Sequence, residues 1–179
     1  MGRFVALLRG INVGGTRKLP MARLRAICDE LGWADVQTYI QSGNVVFSAS
    51  TGAAALERVL EEAIAKEFGF EIAVIVRSAA QWSAYPPANP FPKAAVDEPN
   101  RLMLHLSKTP PALDAEAKIA ERAAAGEQVR RVGDALWIHY PAGAGTTKIT
   151  PNVLDRAAGS PVTARNWRTV VKLQEMLGE

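Results

Sequence analysis

Ten consecutive residues, Arg9-Gly-Ile-Asn-Val-Gly-Gly-Thr-Arg-Lys18, bring together two arginines, a lysine, a carboxamide and a glycine pair. Such a stretch suits anion binding. Backbone amides around Gly14 and Gly15 can donate to a phosphate or carboxylate, and Arg9 and Lys18 supply charge. Downstream, Pro20 fits the first position of a helix, where its missing amide hydrogen is no loss. No Ser, Thr, Asp or Asn precedes it to cap the helix, so the first-turn donors stay open. The string matches neither the phosphate loop G-x-x-x-x-G-K-[ST] nor the dinucleotide fingerprint G-x-G-x-x-G. It therefore indicates the charge of a ligand without naming one.

Other chemistries find less support. His105 and His139 stand singly on expected strands, and neither H-E-x-x-H nor C-x-x-C occurs, so no metal and no cofactor are expected. Both histidines read as partly buried or sheet-surface residues rather than general bases. A G-x-S-x-G elbow is missing, which argues against a hydrolase triad. Cys28 falls in an apolar helix stripe and reads as a buried, inert thiol. Whether the chain is an enzyme stays open, with no catalytic residue identified. Transfer to or from a phosphate or carboxylate, with Lys18 or Lys148 as electrostatic stabiliser, would suit its residues best.

The elements that must carry the loop follow from periodicity. Arg3 to Leu8 is a short strand, and Met21, Leu24, Ile27, Cys28 and Leu31 form the stripe of a helix stopped by Gly32. Val36 to Ile40 and Val45 to Ala49 flank Gln41-Ser42-Gly43-Asn44, a hairpin whose glycine can take positive φ. A helix over Ala53 to Phe68 and a strand over Phe70 to Val76 complete β-α-β-β-α-β. That order predicts a ferredoxin-like antiparallel sheet with both helices on one face. Strand three then lies beside strand one, so Gln41, Ser42 and Asn44 should approach Arg9, Asn12, Gly14 and Gly15.

The expected organisation is α+β with two subdomains: residues 1–77, a Pro-rich connector over 78–99, and a related α+β unit over 100–179. Pro86, Pro87, Pro90, Pro92 and Pro99 argue against regular structure in the connector. Beyond it come a strand over Leu102 to Leu106, a helix over Leu113 to Ala125, a hairpin over Gly133-Asp134 and a helix over Ile149 to Ala158. Thr163 is expected to cap a last helix ending near Leu177. That helix would align Arg165, Arg168 and Lys172 on one face and set Arg165 and Asn166 in its first turn, where a cation opposes the helix dipole and needs a reason to be there. Residues 141 to 150, with Gly143, Gly145 and Lys148, form a second candidate cradle of weaker signal. No residue-level repeat links the halves.

Composition narrows the partners. A 179-residue chain that is 48% hydrophobic can bury a core, and its net charge of +3 is unevenly placed. Residues 1–20 hold Arg3, Arg9, Arg17 and Lys18 and no acid. Residues 145–174 hold five cations against Asp155. This pattern favours a compact anion over a duplex. No apolar run nears the roughly 20 residues that span a bilayer, and the start of the chain has no cleavage-site pattern, so no membrane partner and a cytoplasmic setting are expected.

Taken together, Ala-Leu-Leu-Arg-Gly-Ile-Asn-Val-Gly-Gly from Ala6, Thr-Tyr-Ile-Gln-Ser-Gly-Asn-Val-Val-Phe from Thr38, Asn-Pro-Phe-Pro from Asn89 and Thr-Ala-Arg-Asn-Trp-Arg-Thr-Val from Thr163 resemble the domain of unknown function family 1697, a group of mostly bacterial proteins. The resemblance implies a two-subdomain α+β architecture and supplies no activity or catalytic residue. The expectation from the residues is a small anionic, possibly nucleotide-like, ligand held by Arg9, Asn12, Gly14, Gly15, Lys18, Gln41, Ser42, Asn44, Lys148, Arg165 and Asn166. Single-stranded nucleic acid is the rival partner, because ferredoxin-like sheets can present aromatics to bases, although no aromatic-rich binding motif is present. A protein-interaction scaffold without catalysis is the third alternative.

Overall fold

The structure, a computed structural model, describes residues 1–178; Glu179, the last residue of the expected second subdomain, lies outside the described residues. The chain divides into two compact units. One comprises Met1–Ser83 with the chain from Leu173 onward, the other Ala84–Lys172. One boundary thus falls inside the segment read as a connector, and the other inside the last helix.

In the first unit the order is β1 (Gly2–Leu8), α1 (Met21–Glu30), β2 (Ala34–Tyr39), β3 (Asn44–Ala49), α2 (Ala53–Phe68) and β4 (Val74–Ser78). The sheet runs β2-β3-β1-β4 with every pair antiparallel, the ferredoxin-like plan. Strand alternation sends Phe4, Ala6 and Leu8 to the helix side, where they meet Leu24, Ile27 and Cys28 of α1 and Leu56, Leu60 and Ile64 of α2. Phe47 stacks on Trp33 there, with centroids 3.9 Å apart, a pairing that adds about 1 kcal/mol to simple burial. The other face, with Val5, Leu7, Val46, Ile75 and Arg77, is buried as well.

The second unit repeats the plan. It holds β5 (Leu102–Ser107), α5 (Ala115–Ala120), β6 (Gln128–Val132), β7 (Ala135–His139), α6 (Pro151–Ala158) and β8 (Val162–Asn166), with sheet order β6-β7-β5-β8. Ile119, Leu136, Ile138, Leu154 and Val162 lie in its helix-side core. Two like topologies are therefore built from halves whose sequences show no residue-level repeat.

Edge strands are blocked in the same way in both units. Val76 and Val74 of β4 donate their amides to Glu57 (2.9 Å) and Glu61 (2.8 Å) of α2. Val162 of β8 donates to Asp155 of α6 at 3.0 Å, and Arg131 of β6 to Glu116 of α5 at 2.6 Å. Helix carboxylates take up donors that would otherwise invite another strand.

Three expectations are corrected. Residues 162–166 form β8 rather than the start of a helix, because pairing with β5 overrides the helix-compatible Ala164 and Arg165; the last helix, α7 (Trp167–Leu177), is capped by Asn166, whose Oδ1 accepts the Thr169 amide at 3.0 Å. The Pro-rich segment opens with α3 (Ala79–Ser83), close to the short helix expected around Gln81 to Ala84, but from Pro86 on it is not irregular: it holds a 3-10 turn over Pro86–Ala88 and α4 (Pro92–Asp97), with Pro86 and Pro92 at helix starts, where proline is tolerated. Finally, Pro20 is the cap residue of α1 rather than its first helical residue, with extended φ and ψ of −63° and 136°.

Candidate functional site

Beyond β1 the chain forms a small protruding finger. The Asn12 amide donates to the Arg17 carbonyl at 3.1 Å, Val13 and Thr16 make an isolated antiparallel bridge, and Gly14 and Gly15 form the tip with φ of 59° and 75°. Two successive positive φ values are what a tight two-residue hairpin needs. A Cβ at either glycine would meet nothing within 4 Å, so the pair serves backbone conformation and leaves the tip open.

Asn12, also at positive φ (55°), fastens the finger to the rest of this end. Its Nδ2 donates to the carbonyls of Leu19 (3.0 Å) and Gln41 (2.8 Å), and its Oδ1 accepts the Leu19 amide at 2.8 Å. The loop and the hairpin between β2 and β3 thus converge, as the topology required. Leu8 donates its amide to the Gly43 carbonyl at 2.9 Å, and Leu7 pairs with Asn44. Asn44 is fully buried and donates to the Tyr39 carbonyl and Ser42 Oγ at 2.9 and 3.1 Å. Asn12 and Asn44 build the site's frame. Gln41 is exposed and Ser42 half-buried at its surface.

Positive charge collects at this end. Arg17 and Lys18 are exposed and make no ion pair among the described residues, while Arg9 is half-buried and donates its amide to the Ala73 carbonyl at 3.0 Å. The start of α1 has neither a side-chain cap nor an acidic residue in its first turn. Elsewhere on α1, Arg23 is neutralised by Glu30 and Glu67, which shows how the helix surface treats a cation away from the loop. Val13 (64% exposed) and Ile40 (50%) stand out as large aliphatics exposed in this loop and hairpin.

The three remaining predicted residues, Lys148, Arg165 and Asn166, belong to the second unit. Arg165 is buried on β8, its guanidinium donating to Thr163 Oγ1 and the Ala164 carbonyl at 2.8 Å each; burial pushes its pKa down to about 10. It shares no helical face with Arg168 and Lys172. Asn166 has its side-chain oxygen engaged in capping α7. Lys148 is exposed in a loop whose Thr147 donates to Glu127 at 2.7 Å, so an internal carboxylate already occupies the hydroxyl that a cradle would have offered.

Isolated titratable groups follow their burial. Cys28 is buried, and desolvation pushes its thiol up to about 12. His105 is buried with Nε2 3.1 Å from the Tyr140 hydroxyl, and desolvation lowers it to about 4, so it stays neutral over ordinary pH. Among the described residues no group of three His, Cys, Asp or Glu side chains could hold a metal ion.

Sequence reading missed a cavity of about 430 Å³ in the second unit, lined by Phe91, Lys93, Asp97, Glu98, Gln128 and His139 among others. His139 Nε2 lies 2.8 Å from Glu98 Oε2. The signal was Asn89-Pro-Phe-Pro, in which an aromatic residue sits between two conformationally fixed prolines.

The family model described as "Protein of unknown function (DUF1697)" matches residues 1–137, a span that includes the whole finger and hairpin and ends before Lys148. Among solved structures, that of a conserved bacterial protein from Streptococcus pneumoniae is similar over 98% of this chain and 98% of that one, with 25% identity and a TM-score of 0.74. No curated protein matches the chain.

Proposed function

The chain belongs to the DUF1697 family of proteins of unknown function, and from that premise we propose that it binds a small anionic molecule at the loop end of its first unit. The observation that carries this reading is the set of open donors. Arg17 and Lys18, without a carboxylate partner among the described residues, follow the tip of Gly14 and Gly15 and precede an uncapped helix start. Cations and free amides on one loop suit the oxygens of a phosphate or carboxylate. Arg9 adds charge, and Gln41 and Ser42 offer hydrogen bonds to the body of a nucleotide-like molecule. Asn12 and Asn44 position these groups. Arg165 is buried on β8 and the Asn166 side-chain oxygen caps α7, so the proposed site rests on the first-unit residues.

Thermal stability against a panel of nucleotides, sugar phosphates and carboxylates tests the reading, because a ligand bound only by the native state stabilises it by roughly 2.7 kcal/mol at 100 times its dissociation constant. The expected result is a selective rise that disappears when Arg17 and Lys18 are both replaced by alanine. No rise with any anion would remove the proposal. A second reading, a protein partner at the same loops, is favoured by exposed Val13 and Ile40. Single-stranded nucleic acid has less support, since Phe47 lies in the helix-side core. A buried thiol and the lack, among the described residues, of a helix long and apolar enough to cross a membrane support a cytoplasmic setting.

A further inference from the structure

We propose that β2, an outer strand of the first sheet, pairs antiparallel with β2 of a second copy of this chain and joins two first-unit sheets into one. Backbone alternation shows which groups are open. The Leu8 amide bonds the Gly43 carbonyl, and β1 and β3 stay in register from there to Gly2 and Ala49, so Val45 and Phe47 turn their backbone groups to β1 while Asn44 and Val46 turn theirs to β2. Tyr39 and Gln37, opposite Asn44 and Val46, are therefore satisfied by β3. Val36 and Thr38 each point an amide and a carbonyl away from the sheet, and these groups have no partner among the described residues.

The equivalent edge of the second unit is closed. In its sheet β6 stands where β2 does, and there the Arg131 amide goes to Glu116 at 2.6 Å while the Val129 carbonyl accepts from Arg130 at 2.8 Å. Glu116 lies in the first turn of α5, whereas α1 has no acidic residue in its first turn, and its Arg25 reaches the Thr38 hydroxyl, at 2.5 Å, rather than the strand backbone. An edge with open groups is a template for another strand. A second copy fits because this edge is self-complementary. A two-fold axis at Gln37 sets Val36 opposite Thr38 of the second copy and Thr38 opposite its Val36, so the open amides and carbonyls of each copy satisfy those of the other. The same axis brings Asp35 beside Tyr39 of the second copy, a carboxylate acceptor against a phenol hydroxyl without a partner among the described residues. Asp35 is the one charge on β2, and its counterpart lies four residues along the pair, about 13 Å away and beyond the Debye length. The bulge at Asp35 (φ 51°) leaves residues 36–38 as the regular stretch, so the contact is short and the association weak.

Sedimentation velocity of the full chain from about 1 μM to about 0.5 mM, the range in which a weak pair forms, is the test. The expected result is a reversible rise from one copy to two. Thr38→Pro removes an outward amide and leaves the ladder to β3 intact, so it is expected to abolish the pair with an unchanged circular dichroism spectrum. Gln37 is exposed, and on the axis it faces itself. Gln37→Lys and Gln37→Glu are each expected to weaken association about fivefold through like charges directly opposite one another, and an equal mixture of the two variants to recover it. This recovery is peculiar to a pair centred on residue 37. A single copy at every concentration would leave the edge to a strand of another protein and overturn the proposal. A pair that survives Thr38→Pro, or Gln37 variants that do not recover on mixing, would place the contact elsewhere and overturn it as well.

Discussion

Arg77 and Arg165 occupy the same place in two like sheets. Each is the fourth residue of the last strand of its unit, opposite Val5 on β1 and Leu104 on β5 respectively. Each turns its guanidinium back to the carbonyl of the preceding residue, Val76 at 3.0 Å and Ala164 at 2.8 Å. Each is followed by a residue that caps a helix: Ser78 Oγ accepts the Gln81 amide at 3.2 Å, and Asn166 Oδ1 accepts that of Thr169. Topology, edge protection and this strand-to-helix corner all recur. The likeness of the two units is thus carried by positions whose physics leaves few alternatives.

Arg165→Ala should destabilise the chain by about 3 kcal/mol, because it leaves the Thr163 hydroxyl and Ala164 carbonyl without their donor and opens a void. Arg168→Ala, at an exposed helix position, should stay within about 0.5 kcal/mol of the parent. Urea denaturation of the two variants side by side checks the contrast. Equal effects would mean that the buried guanidinium contributes nothing particular.

His105 makes stability depend on pH. Its folded value of about 4 lies below the ordinary 6.5, so between these values the unfolded chain binds more protons and stability falls on acidification. The contribution is fully present above about pH 6.5 and is lost as pH falls toward 4, up to about 3 kcal/mol in all. The difference in unfolding free energy between the parent and His105→Leu, followed from pH 8 to 4, should show this slope. A pH-independent difference would contradict it.

Gly43 and Gly14 share a positive φ and differ in space. A Cβ on Gly43 (φ 85°) would sit 2.7 Å from Ile11 Cδ1 and 2.8 Å from Leu8 Cβ, whereas one on Gly14 would meet nothing within 4 Å. Gly14→Ala should therefore cost about 1 kcal/mol from backbone conformation alone, and Gly43→Ala about 3 kcal/mol or more. Thermal denaturation of both variants measures the gap. Similar losses would show that the hairpin relaxes freely away from β1.

Much of the first unit was legible because its signals are local and repeated. The stripe from Met21 to Leu31 and the run from Ala53 to Phe68 bury the faces they advertise, and Gly43 supplies the turn it was assigned. Convergence of Asn12 with the Gln41 hairpin also followed, since element order fixes which strands are neighbours. Thr163 to Asn166 misled because Thr, Ala, Arg and Asn are all acceptable at a helix start, and only the ladder to β5 makes them a strand. The prolines between 86 and 92 were read as breakers, although at a helix start proline is a good first residue.

By itself the sequence determined the α+β class, the order of the first six elements, the charge of the finger and the burial of Cys28, because periodicity, glycine placement and net charge are properties of neighbouring residues. Tertiary structure alone decided that the Asn12 side chain bonds the backbone of Leu19 and Gln41, that the Asn44 amide donates to Tyr39 and Ser42, and that Arg165 is buried on a strand. It also decided that Glu98 meets His139 beside Phe91. Hydrogen bonds and desolvation act between groups far apart in the chain, and a side chain's role is set by the partners that folding brings within about 3 Å.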